Sequence, residues 1–411
     1  MRWLIPILIY LLIELYAYQA IRTIAKNQWI QLSYIVISIL ILGYVIYVFA
    51  NYDRSVGPTK YTLRASGMIM LTVVPKIVLV LFMFGEDIIR VIVAIYRYII
   101  PSTGENEMGY FPGRRKFLSQ LALGVASIPF AGLLYGIVKG KYNFKVLKHV
   151  LYFDDLPSAF DGFRLTQISD IHSGSFDDAD KIEYAIDLIN EQDTDMLLFT
   201  GDIVNTVASE MDDWIDTFNR IKEYKYGKYS VLGNHDYGEY VTWESQEEKE
   251  NNFQAIKDIH TKINFNLLLN DSDFIEKDGQ RIAIVGVENW GHNFKKAGDL
   301  EKASQKINKE DFKILMSHDP SHWEYEVKEH EDHFHLTLSG HTHGFQFGIE
   351  IPGFMRWSPV QYVYKQWAGM YNEMGRFLNV NRGFGFHAFP GRVGIWPEIT
   401  VIELRKGKEE A

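Results

Sequence analysis

The chain contains no cysteine among its 411 residues, so thiolate metal sites are excluded and any ligand set must come from imidazole, carboxylate and amide groups. Histidine is missing from the first 148 residues, and all thirteen lie beyond them. Charge is missing from residues 32–50 and 117–138, two runs close to the ~20 residues a helix needs to cross a bilayer. Neither an internal repeat nor a low-complexity tract is present. Basic excess is missing where the histidines are: residues 1–150 hold 16 Lys and Arg against 6 Asp and Glu, a net of +10, and the remainder holds 26 against 46, a net of −20. The halves are physically different objects, and the length favours more than one domain. An acidic second half repels polyanions, so nucleic acid is an unfavourable partner.

The first half reads as a helical membrane region in contact with the lipid bilayer. Residues 3–20 carry Glu14, and residues 66–84 carry Pro75 and Lys76, so these are spans with an internal polar cost. Residues 88–100 are short and carry Arg90 and Arg97, which predicts an amphipathic helix at the interface rather than a fifth crossing. An acid within its apolar run and no small-residue cleavage site make 3–20 a retained span rather than a signal peptide. The expected organisation is 1–140 as about four spans, 141–149 as a basic juxtamembrane linker, 150–405 as a second domain and 406–411 as a charged tail. Basic residues divide eight to seven between the two faces, which orients nothing. Arg114-Arg115-Lys116 directly precedes an uncharged apolar run and resembles an internal twin-arginine export signal. With those arginines in the cytoplasm, a multi-pass inner-membrane protein has its second domain outside it.

The second half reads as α/β. Strands are predicted at 163–168, 196–199, 229–232, 312–316, 336–338, 281–287 and 399–404, and helices at 178–192, 209–222 and 246–261. Five of the strands lead into short polar blocks: Asp170-Ile171-His172, Gly201-Asp202, Gly233-Asn234-His235-Asp236, His318, and Gly340-His341-Thr342-His343. Strand ends gather at the carboxyl edge of a sheet, so these blocks converge in space. They supply two carboxylates, one amide oxygen and several imidazoles, a set that suits manganese, iron or zinc. His330, His333 and His335 lie in an acid-rich stretch and read as a solvated helix end and strand start. Phosphate contact and a structural loop role are both open for Arg382 and His387, and Asp236 is either a ligand-supporting or a turn residue.

In order and spacing the blocks resemble the calcineurin-like metallophosphoesterase family, whose pattern runs D-x-H, G-D, G-N-H-D/E, H and G-H-x-H. The resemblance covers roughly residues 145–405. Thr200-Gly201-Asp202, Gly340-His341-Thr342-His343-Gly344, and Arg382-Gly383 followed by Pro397-Glu398-Ile399 look like its membrane-associated bacterial branch, which includes UDP-2,3-diacylglucosamine pyrophosphatase-like enzymes. The resemblance implies a four-layer sandwich, two β-sheets face to face with helices outside. It also implies two divalent metal ions: Asp170, His172, Asp202 and His343 around one, Asp202, Asn234, His318 and His341 around the other, with Asp202 shared. A metal-bridging hydroxide then attacks phosphorus, and His235 is catalytic rather than a ligand. The implied function is a phosphohydrolase acting on a phosphoester or pyrophosphate bond of a phosphorylated, lipid-linked or envelope-precursor substrate. A phosphodiesterase or nuclease of the same family is the alternative enzyme, and a non-catalytic metal-binding membrane sensor is the alternative outside enzymes. The complete donor set speaks against the sensor. Two departures stand out. Asn205 occupies the place of an aspartate that orients the histidine in some relatives, which points to a weaker acid–base role, and Phe345 replaces a glycine, giving either an apolar wall beside the site or a packing residue.

Overall fold

A computed structural model describes residues 4–99, 112–351 and 353–408. The chain divides into two compact units, Met1–Tyr52 with Tyr61–Ile137, and Asp53–Lys60 with Val138–Ala411.

The first unit is helical: α1 Leu4–Ile24, α2 Gln28–Ala50, α3 Lys60–Ile99 and α4 Pro112–Val138. All four are long and apolar enough to cross a membrane. The polar interruptions seen in the sequence meet one another: Lys76 Nζ lies 2.6 Å from Glu14 Oε2 and 3.5 Å from Ser38 Oγ. Pairing is what makes two charges tolerable in hydrocarbon, and removing one partner leaves the other uncompensated. The interfacial helix expected at 88–100 is not a separate element. α3 runs unbroken for 40 residues through Pro75 to Ile99, because Gly85 is the only break signal between the two segments and one glycine does not stop a helix. Ile100 lies outside the described residues.

The second unit holds β1 Lys145–Phe153, β2 Phe163–Ile168, β3 Met196–Phe199, β4 Lys228–Ser230, β5 Asn266–Leu267, β6 Asp271–Lys277 and β7 Gln280–Gly286. There follow β8 Phe312–Met316, β9 Leu336–Ser339, β10 Ile349–Ile351, β11 Met355–Trp357, β12 Gly369–Glu373, β13 Arg376–Val380 and β14 Glu398–Lys406. Two six-stranded sheets form, β1-β14-β2-β3-β4-β5 and β12-β13-β9-β8-β7-β6, beside the two-stranded β10-β11.

Period-two alternation explains the layering. In β3, Met196 and Leu198 enter the core between the sheets with Leu165, Ile314 and Leu336, whereas Leu197 and Phe199 face outward onto Ile182, Ile186 and Ile189 of α5 (Ala179–Asn190) and Ile256 and Ile259 of a second outer helix, Gln246–Lys262. On the other sheet Leu315 turns away from the central core to meet Trp323 and Val327. Helices, sheet, sheet, helices: the four-layer expectation holds.

Two local expectations do not. The basic stretch expected as a linker is a turn, Gly140–Tyr142, followed by β1, which pairs in parallel with β14 from Lys145↔Glu398 onward. Leu151 and Phe153 bury while Lys145 and Lys148 stay exposed, so these lysines mark the solvated start of a strand rather than an absence of structure. The helix expected at 209–222 is a 3-10 turn, Ala208–Met211, and the short Ile215–Asn219. Glu210 accepts the backbone N–H groups of Asn205 and Val207 there, which holds the chain as a loop. Of the charged tail, Glu409–Ala411 lie outside the described residues.

Candidate metal centre

Each functional block begins where a strand of the two sheets ends. Asp170 and His172 follow β2, Asp202 follows β3, Asn234 and His235 follow β4, His318 follows β8, and His341 and His343 follow β9. A buried polar tie holds the sheets together beneath them: Gln167 donates to the Ser339 carbonyl at 2.9 Å and accepts from Asn379 at 2.8 Å. Five of the residues are non-glycines in the left-handed region, Asp170 (φ 54), His172 (49), Asp202 (60), His341 (71) and His343 (50). Such conformations persist only when the surroundings over-determine them, and they concentrate at functional sites. Gly340 is required for a different reason. A Cβ there would strike Ser169 Oγ and Asp170 Oδ2, so the β9 loop reaches Asp170 only without a side chain.

Among the described residues the side chains form three adjoining groups of potential ligand atoms, Asp170–His172–His343, Asp202–His318–His341, and His172–His235–His387, which shares His172 with the first. His343 Nε2 lies 3.2 Å from Asp170 Oδ1, and His172 Nε2 lies 3.0 Å from His343 Nε2. In the second group His318 Nε2 is 3.1 Å from Asp202 Oδ2 and 3.3 Å from His341 Nδ1. Asp202 Oδ2 also lies 3.6 Å from His172 Nε2, so this one carboxylate stands between the groups. Asn234 Oδ1 is buried without a protein partner, although its amide nitrogen donates to Tyr240 at 2.6 Å.

Electrostatics point the same way. Burial alone would lower His318, yet the Asp202 and Asp170 carboxylates override it and push it up to about 10. Burial works against Asp202, but the imidazoles of His318 and His235 hold it well below the usual carboxylate range. The carboxylates of the pocket thus stabilise positive charge placed among them. A donor set of carboxylate, amide oxygen and imidazole with a partnerless buried oxygen fits divalent metal. His318 Nδ1 donates to the Thr200 carbonyl at 2.7 Å, which leaves Nε2 unprotonated in the neutral ring and able to hold a metal. Asp236 accepts the N–H groups of Asp202, Ile203 and Gly233 at 2.8–3.0 Å and so ties the β3 and β4 loops together. It supports the ligands rather than merely filling a turn.

His235 is placed differently. Its backbone N–H donates to Asp202 Oδ1 at 2.8 Å, and its Nδ1 donates to the carbonyl of Asn205 at 2.7 Å. The main chain supplies the acceptor, so the Asn205 side chain is not the orienting group. That side chain instead meets His387 Nδ1 at 3.0 Å and Ser175. His387 is brought to the site, 4.5 Å ring to ring from His235 and 4.9 Å from His172. Arg382 is not: it is held between Glu350 and Glu398. His330 pairs with Glu301 and His335 with Asp155, and neither belongs to a ligand group among the described residues. Sequence reasoning missed Tyr240, whose ring lies 4.4 Å from that of His235, and Tyr364, whose hydroxyl lies 2.7 Å from His341 Nε2. Nothing in the sequence around Tyr364 announces it.

A buried set of carboxylate, imidazole and amide donors at the strand ends of two packed sheets fits a metal-dependent phosphoesterase. Residues 163–345 match the calcineurin-like phosphoesterase family, and residues 1–141 match the probable calcineurin-like phosphoesterase transmembrane domain. The chain belongs to the calcineurin-like phosphoesterases and is a membrane-integral phosphoric ester hydrolase. It is 29% identical over 71% of its length to 97% of the uncharacterized metallophosphoesterase YkuE of Bacillus subtilis. Against the uncharacterized metallophosphoesterase Cj0846 of Campylobacter jejuni it is 25% identical over 98% of both chains. The solved NAD nucleotidase of Haemophilus influenzae aligns with a TM-score of 0.35 at 14% identity, over 54% of this chain and 45% of that one, a likeness too low to add an argument.

Proposed function

We propose that the chain is an inner-membrane phosphohydrolase that uses two divalent cations, manganese, iron or zinc, to cleave a phosphoester or pyrophosphate bond of a lipid-linked substrate. The observation that carries the two-ion reading is the position of Asp202, with Oδ2 3.6 Å from His172 and 3.1 Å from His318. Asp170, His172, Asp202 and His343 would hold one ion, and Asp202, Asn234, His318 and His341 the other. Ions held by these residues would activate water at neutral pH and offset charge on the phosphoryl oxygens. The chain's own residues do the rest. Asp202 neutralises both cations while fixing the His235 backbone, the Asn205 carbonyl holds the His235 proton on Nδ1, and Nε2 is left to face the substrate. Placed beside the leaving oxygen, that ring stabilises or protonates it as the bond breaks.

Two features support a lipid-linked substrate. Residues 53–60, which join two membrane-length helices, belong to the catalytic unit. The Arg54 carbonyl accepts from Thr242 N at 2.8 Å, and Gly57 packs on Val241 and Thr206, one residue from the carbonyl that positions His235. Phe345 is 48% exposed two residues after His343 and offers an apolar wall rather than core packing. The full-length protein in nanodiscs with manganese is expected to hydrolyse UDP-diacylglucosamine, or another diacyl pyrophosphate, with a kcat/KM well above that for p-nitrophenyl phosphate. Equal efficiency on both, or efficient cleavage of single-stranded DNA instead, overturns the lipid-linked reading.

Sidedness follows from the basic flank of α4. The catalytic unit is expected outside the cytoplasm, so alkaline phosphatase fused to the C-terminus is active and green fluorescent protein there is dark. The opposite pair of results places the site in the cytoplasm.

A further inference from the structure

The hairpin of β10 and β11 is built with its apolar side outward. Its register pairs Ile349 with Trp357, Glu350 with Arg356, and Ile351 with Met355, and successive side chains alternate between faces. The face bearing Glu350 and Arg356 makes the hairpin's polar contacts with the protein, with Glu350 half-buried and Arg356 still exposed. Glu350 accepts from Arg382 Nε at 3.1 Å, and Arg356 donates to the Ala368 carbonyl and stands 5.2 Å from the Trp367 ring. The opposite face exposes Ile349, Ile351 and Met355 by 46, 48 and 41%, and Phe354 at the turn is 81% exposed. About half of the large hydrophobic side chains exposed in the described part of the catalytic unit fall within residues 345–363. The aliphatic side of the hairpin is left to solvent while its polar side makes the contacts, and a clustered apolar surface of this kind marks a site that meets an apolar partner.

We propose that this hairpin, with Tyr362 and Val363 of the turn after it, is an apolar foot that seats the catalytic unit on a lipid bilayer. The partner is identified by what lies within reach. α4 ends at Val138 and β1 begins at Lys145, so residues 139–144 span about 20 Å even fully extended. A bilayer surface is thus held beside the catalytic unit at an effective concentration that no freely diffusing partner matches. The foot also stands beside the point of entry. Gly348 at the base of the hairpin donates to the Val393 carbonyl at 2.9 Å, and Gly140 packs so closely on the carbonyl of Arg392 that a Cβ there would strike it. Consecutive residues therefore hold the hairpin and the segment arriving from α4. Trp357 and Tyr362 are the residue types that favour the headgroup level. The foot is coupled to the metal loop as well, since Ser358 Oγ donates to the Gly344 carbonyl at 2.8 Å, beside His343. This inference requires a membrane-integral chain but not the proposed substrate, and its test does not read activity.

The absence of cysteine makes the test direct. Phe354→Cys and, separately, Ile351→Cys are labelled with a nitrobenzoxadiazole fluorophore in the full-length protein, one copy per nanodisc, with phosphatidylethanolamine and phosphatidylglycerol. Met374→Cys, at a turn residue 72% exposed, is the aqueous reference. Doxyl-labelled lipid is expected to quench positions 354 and 351 while iodide does not reach them, with the reverse at 374. Iodide quenching of both foot positions as complete as at 374 overturns the proposal. So does shielding that involves no doxyl quenching and appears only when two copies share a disc, which assigns the face to a second copy of the chain.

Discussion

Asp202→Ala is expected to lose at least one metal ion and essentially all turnover. The side chain is buried, its Oδ1 accepts the His235 N–H at 2.8 Å, and its Oδ2 faces His172 and His318. On the proposed two-ion reading, alanine would remove the anion shared by both cations, and it takes away the acceptor of the His235 backbone N–H. Metal analysis of the purified variant, set beside its kcat, reads both consequences. Two retained ions with near-normal turnover would show that this carboxylate is not the bridge. A folding artefact is recognised by running Asp202→Asn in parallel: it keeps the shape and an acceptor for His235 but not the charge, so it too should lose metal while melting close to the parent.

His235→Ala should behave in the opposite way on the metal and in the same direction on the rate. The ring stands with His172 and His387 in a cluster apart from the Asp170–His172–His343 and Asp202–His318–His341 groups, so its removal is expected to leave the metal content of those two groups unchanged. kcat falls by about 10²–10⁴-fold, the range for removal of a positioned proton-transfer group. The asparagine at 205 lowers this expectation less than the sequence suggests. The Nδ1 proton is held by a main-chain carbonyl at 2.7 Å, and every residue type offers one. A neutral acceptor orients the ring without stabilising a full positive charge on it, which places the expected loss in the lower part of the range. An unchanged kcat would make His235 a structural residue of the β4 loop.

The convergence of the polar blocks was legible because each combines two local signals, a strand pattern and a short polar run at its end, and topology does the rest. Phe163–Ile168, Met196–Phe199 and Phe312–Met316 appear at the expected bounds. What stayed illegible depends on partners far away in the chain. Tyr364 reaches the site from a loop after the last donor block with no local pattern to mark it, and His387, open in the sequence between phosphate contact and a loop role, is brought there by the fold. The left-handed conformations of Asp170 and His341 leave no trace in residue type, since both are imposed by surroundings. β1 was hidden because a strand that alternates lysine with valine and leucine beside a membrane helix has the composition of a flank. Its pairing with β14, some 250 residues later, decides the matter. β10 and β11 were hidden for a related reason: their apolar residues face outward, so no buried side reveals the alternation. Arg382 shows the converse, a residue whose charge suggested phosphate and whose two carboxylate partners give it a structural role.

The central claim is a pair of metal ions sharing Asp202, and counting ions tests it most directly. The full-length protein, stripped by chelation, reloaded with manganese and desalted, is analysed by inductively coupled plasma mass spectrometry alongside hydrolysis of a phosphate ester. The account predicts saturation at two ions per chain, with hydrolysis absent in the stripped protein and restored as the second ion binds. Saturation at one ion with full activity, or hydrolysis that survives complete stripping, would contradict it.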